Sequence, residues 1–89
     1  MLGKLFVQRR KNGTCIDKPK AEEADIYIDE SGIAQAFQNN YIFAEMTSCR
    51  IKFVSANGIL FTGVEDPTGQ RTKLFYQEWW FIPGAQKEI

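Results

Sequence analysis

What most limits the fold of this chain is a run of three strand-like segments in its C-terminal half. Residues 50–56 and 59–65 are rich in β-branched and aromatic side chains and flank Asn57-Gly58. Asn-Gly between two such runs is a strong hairpin signal, because a type I′ turn needs positive φ at both central positions. Asp66-Pro67-Thr68-Gly69 follows, with proline suited to the second position of a type I turn and Gly69 to a left-handed bulge position. Residues 70–82 read as a third, long strand ended by Pro83-Gly84. The three runs predict an antiparallel meander.

Turn lengths then set a register. A loop at Asn57-Gly58 places Ala56 opposite Ile59, Val54 opposite Phe61, Lys52 opposite Gly63 and Arg50 opposite Glu65. A loop at Pro67-Thr68-Gly69 places Val64 opposite Thr72, Thr62 opposite Leu74, Phe61 opposite Phe75 and Glu65 opposite Arg71. Because strand side chains alternate between faces, these pairings sort the residues into two sets. Ile51, Phe53, Leu60, Val64, Leu74 and Tyr76, with Thr62 and Thr72, form the expected core face. The other face is mixed. It carries a row of Arg50, Glu65 and Arg71, with Lys52 and Lys73 beside Gly63, and an aromatic end of Val54, Ile59, Phe61 and Phe75 that alternation extends to Trp79 and Phe81.

The N-terminal half is less regular. Residues 5–9 suit a first strand, Lys11-Asn12-Gly13 a turn, 14–23 a polar loop and 25–29 a short strand. Ser31 offers a helix N-cap, and Ile33, Ala36, Phe37, Asn40, Tyr41 and Ala44 fall at helical spacing, Asn40 being the one polar member. A short helix is therefore expected over 32–39, although Asn39-Asn40 could equally turn the chain into a strand over 41–46. The fold class expected is α+β, mainly β: about five antiparallel strands, curled or barrel-like, with one short helix, in a single domain over 1–89. The long strand 70–82 is the one expected to bend and serve both sides of the barrel.

Composition narrows the function. Hydrophobic residues make up 44 % of the 89 and aromatic ones 13 %, enough apolar surface for a core. Eleven basic residues balance eleven acidic ones. A dedicated nucleic-acid binder usually has a basic excess, so neutrality disfavours that partner. No apolar run has the ~20 residues a membrane helix needs, Arg9 and Arg10 interrupt the N-terminal apolar residues, and a cytoplasmic protein is expected. Cys15 and Cys49 are far apart in sequence and there is no histidine, so neither a zinc site nor a histidine-activated cysteine is expected. Glu22, Glu23, Asp25, Asp29 and Glu30 lack the spacing of a calcium loop and read as a solvated face. No catalytic or phosphate-binding motif is present. The sequence expectation is a non-catalytic module without metal or cofactor. It binds a protein partner, or itself, through Phe61, Phe75, Trp79, Lys52, Lys73, Arg50 and Arg71. Single-stranded nucleic acid on the same aromatic and basic face is the alternative, and a small enzyme the third.

Overall fold

The computed structural model describes residues 1–11, 14–15, 18–65 and 75–84. Among these, seven strands form one antiparallel sheet: β1 (Leu2–Lys11), β2 (Thr14–Cys15), β3 (Ala21–Ile28), β4 (Ala34–Gln38), β5 (Tyr41–Ser55), β6 (Gly58–Val64) and β7 (Phe75–Pro83). The order is β2-β1-β3-β4-β5-β6-β7, and β1 also pairs with β7. Six strands therefore close into a barrel, with the two-residue β2 appended to the end of β1. No helix of the structure is long and apolar enough to cross a membrane.

The expected α+β class is thus corrected to all-β among the described residues. The segment 32–39 is a turn followed by β4. Ala34 and Ala36 point into the barrel and are fully buried, opposite Met46 and Ala44 of β5. The period is two; the helical spacing of Ile33, Ala36, Phe37 and Tyr41 arises because a hairpin interrupts it. Asn39 and Asn40 both have positive φ, 52° and 64°, as a two-residue turn between Gln38 and Tyr41 demands. Ser31 caps no helix. Asp29 Oδ1 accepts from the Ser31 amide at 2.9 Å, the Ser31 hydroxyl at 2.8 Å and the Ile33 amide at 3.0 Å, which ties residues 29–33 into a side-chain-stabilised turn.

Among the described residues, the strand that bends between two neighbours is β5; the run expected to bend, 70–82, is described only from Phe75 on. Residues 41–46 pair with β4 and 47–55 with β6. The corner falls at Ser48, whose φ is 54°, where the register shifts between Thr47 and Arg50. The Gly32 carbonyl accepts from the Cys49 amide at 2.9 Å, docking the 29–33 turn on this corner. β7 instead pairs along its length with β1 and β6.

The register of the meander also differs from expectation. The first loop is Ala56-Asn57, so Val54 faces Ile59 and Ser55 faces Gly58. Gly58 lies in the strand because the backbone runs close under Trp80: a Cβ there would sit 2.7 Å from the indole and 2.9 Å from the Phe81 carbonyl. Between β6 and β7, Phe61 faces Trp79, Thr62 faces Glu78 and Val64 faces Tyr76. Both slips near the turn are by an even number of residues, so Phe61, Trp79 and Phe81 stay on one face with Ile59. The sheet curls towards that face. The core comprises Leu5, Ala24, Ile26, Ala34, Ala36, Met46, Phe61, Trp79 and Phe81; of the set expected to be the core, Phe53, Leu60, Thr62, Val64 and Tyr76 lie on the outer face, Ile51 is exposed, and Thr72 and Leu74 lie outside the described residues.

Candidate functional site

The outer wall of β5, β6, β7 and β1 is built from three cross-strand rows. Phe6, Trp80, Leu60 and Phe53 form the first, and Gln8, Glu78, Thr62 and Arg50 the second. Arg10, Tyr76 and Val64 form the third. Phe6, Leu60 and Trp80 are half-buried, with Pro19 beside the small hollow they line. Phe53 and Tyr76 are 55 % and 46 % exposed.

A shallow groove of about 730 Å³ crosses the second and third rows, lined among others by Arg10, Arg50, Lys52, Tyr76 and Glu78. Glu78 is its electrostatic centre. Its Oε1 accepts from Arg10 Nε at 3.1 Å, and its Oε2 lies 3.8 Å from Lys52 Nζ. Arg50 has no ion-pair partner among the described residues. The register shift between Ile51 and Phe53 marks a bulge, which lets Lys52 and Phe53 share the outer wall. Next to the groove, β5 has a free edge over 50–55: beyond the Cys49 amide, its outer backbone groups have no partner among the described residues. Ile51, Phe53 and Val54 are all exposed there.

Of the residues expected to form the site, Arg50 and Lys52 are on this wall. Phe61 and Trp79 are inside the barrel, 3 % and 0 % exposed, and belong to the core. Lys73 and Arg71 lie outside the described residues, as does the Phe75 side chain. The Arg50–Glu65 part of the expected row does not form, since Arg50 faces Thr62 and Glu65 Oε2 accepts from Arg9 Nη1 at 3.5 Å. Phe53, Tyr76, Trp80, Arg10 and Glu78 are the wall residues that sequence reasoning assigned to the core or left unassigned. Alternation grouped Tyr76 with Leu60 and Val64 correctly; the strand register and the direction of curl were missing.

Inside, one mouth of the barrel holds a polar chain. Trp79 Nε1 donates to Gln77 Oε1 at 2.6 Å, and Gln77 Nε2 donates to the Glu45 carbonyl at 3.3 Å and to Glu65 Oε1 at 3.4 Å. Both donor hydrogens of the buried Gln77 amide are thereby used and its oxygen accepts once, an arrangement that satisfies the buried tryptophan.

The opposite outer wall, β3 and β4, is acidic. A groove of about 690 Å³ runs between Leu2, Glu23, Asp25, Tyr27 and Phe37. The Tyr27 and Phe37 rings meet edge to face at 5.4 Å. Asp25 accepts from the Met1 amino group at 2.8 Å and from the Tyr27 hydroxyl at 3.1 Å. The amino group, chiefly, holds the Asp25 carboxyl below the usual range, and the hydrogen bond to Asp25 holds the Tyr27 phenol above its own. Cys15 and Cys49 are both free thiols, and burial pushes Cys49 up. No protein-family model, curated protein or solved structure matches the chain.

Proposed function

We propose that this chain is a non-catalytic binding module that docks a protein partner on the outer wall of β5, β6, β7 and β1. The observation that carries this reading is exposed Phe53 and Tyr76 on this wall, with exposed Ile51 at the rim of its groove, interleaved with Arg50 and Lys52. Aromatic residues and arginine are the types enriched at interface centres. The two free thiols favour a reducing compartment, in keeping with a cytoplasmic protein.

Single-stranded nucleic acid is the second reading, favoured by Tyr76 and Phe53 as stacking platforms beside three cations. Glu78 weighs against it. This carboxylate already engages Arg10 and Lys52, so a phosphate entering the groove meets a like charge and must compete for both.

A photo-crosslinking amino acid at position 53, in the cells that make the protein, separates the readings. The expected product is an adduct to a polypeptide. An adduct to RNA or DNA would put nucleic acid in its place, and no adduct would remove this wall as a binding surface.

A further inference from the structure

The charges of this neutral chain are unevenly distributed along its sequence, although Lys4 stands opposite Glu23 and Glu78 lies among Arg10 and Lys52. Between Lys20 and Arg50 there is no lysine or arginine, while Glu22, Glu23, Asp25, Asp29, Glu30 and Glu45 all lie there. That stretch builds β3, the 29–33 turn, β4 and the start of β5. The cations Lys4, Arg9, Arg10 and Lys11 belong to β1, and Arg50 and Lys52 to the far half of β5.

Strand order converts this linear segregation into a spatial one. In a closed ring of β1-β3-β4-β5-β6-β7, β3 stands across from β6 and β4 across from β7. The acidic wall and the wall carrying Arg10, Arg50 and Lys52 therefore face opposite directions. Each has an aromatic centre: the Tyr27–Phe37 pair with its groove on one, Phe53 and Tyr76 on the other. Glu23 and Glu30 on the acidic side, like Arg50 on the basic side, have no ion-pair partner among the described residues.

Resting on the binding-module reading, we infer that the partner is a second copy of this chain, docked head to tail, with the acidic β3–β4 wall of one copy on the basic outer wall of the next. Opposite charges then surround an aromatic contact on both sides, and zero net charge leaves no overall repulsion between copies. A two-fold pairing of like walls is the worse arrangement, because it sets like charges against each other. Strand addition along the free edge of β5 is opposed by Lys52 and the bulge beside it, both devices that discourage edge pairing. Since the two walls point in opposite directions, the head-to-tail contact does not close on itself and grows into a linear series.

The test is light scattering across a concentration series, with two neutralised variants. The wild type is expected to form a graded series above the monomer at about 0.01 M NaCl, where the Debye length is about 30 Å. Its apparent Kd is expected to rise by roughly an order of magnitude or more at about 1 M, where that length is about 3 Å. Arg50→Gln with Lys52→Gln takes two cations from the basic wall and leaves Arg10 paired with Glu78; Glu23→Gln with Glu45→Gln, the latter facing Gln35 of β4, takes two carboxylates from the acidic side and leaves Asp25 paired with the Met1 amino group. Each double variant alone is expected to be monomeric with a wild-type melting curve. Their equimolar mixture is expected to stop at a 1:1 dimer, since each supplies one intact wall; formation of that dimer also shows that both are folded. A discrete two-fold dimer of the wild type, or association that survives either double variant alone, would overturn the proposal. A wild type that stays monomeric at low salt, yet gives adducts to another protein from position 53, overturns self-association and leaves the binding module standing.

Discussion

At Trp79 the indole is wholly enclosed and its one polar hydrogen is bonded to Gln77. Trp80, one residue on, lies half-buried on the outer wall between Phe6 and Leu60. Alternation along a strand makes such neighbours unequal, and substitution should expose the difference. Trp79→Ala is expected to cost about 3–5 kcal/mol, the range for emptying a large aromatic site in a core, and more where Gln77 Oε1 loses its donor. Phe53→Ser, on the exposed edge, is expected to stay within about 0.5 kcal/mol of wild type. Urea denaturation of the two variants checks this. A mild Trp79→Ala would mean the barrel does not enclose that ring as described. The membership of the aromatic group Ile59, Phe61, Trp79 and Phe81 was legible in the sequence. Its placement inside was not, since a half-sheet presents the same two faces whichever way it curls.

Among the elements, the 29–33 turn shows how local chemistry misled. A serine before a helically spaced apolar set is a helix start by pattern, yet the residue that organises the segment is Asp29, through its bonds to Ser31 and Ile33. Those bonds, with the Ile33 amide the largest influence, hold the Asp29 carboxyl below its usual range. A carboxylate with a depressed folded pKa adds stability above its unfolded value, about 3.9, and loses that contribution as pH falls through the folded pKa. Asp29→Ala is therefore expected to lower the denaturation midpoint at pH 7, and the gap to wild type should narrow as pH drops below about 3.9. A gap independent of pH would mean that the charge of Asp29 plays no part in the turn. Asn39-Asn40, noted in sequence as a possible turn, is the companion case: both residues tolerate the left-handed region, and the hairpin they make turns 34–38 from helix into strand.

For the molecule as a whole, closure depends on the pairing of β1 with β7, from Gly3 opposite Pro83 to Lys11 opposite Phe75. Contacts between the two ends of a chain must be reached by closing long loops, so the barrel is expected to refold in milliseconds to seconds rather than microseconds. Ending the chain before Trp79 removes two of the largest core side chains, Trp79 and Phe81, and most of the strand that completes the ring. Such a truncation is expected to be unfolded by circular dichroism, whereas Phe53→Ser at full length should keep the wild-type spectrum. A folded truncation would show that the other five barrel strands suffice.

The sequence by itself determined some local decisions: a turn around residues 56–58, a break at 39–40, the extended runs 50–56 and 59–65, and which of their residues share a face of a strand. These follow from φ preferences and side-chain alternation, which act over a few residues. Sequence also contained the charge segregation between Lys20 and Arg50, although as a linear fact it pointed to no surface. Only the tertiary structure decided that β1 meets β7, that β5 turns the corner at Ser48, and that Phe61 and Trp79 are enclosed while Phe53 and Tyr76 are left outside. The physical reason is that inside and outside are properties of a closed ring. Until the ends of the sheet join, each face is equally free to bury its apolar set, and the side that closes is chosen by the packing of six strands at once.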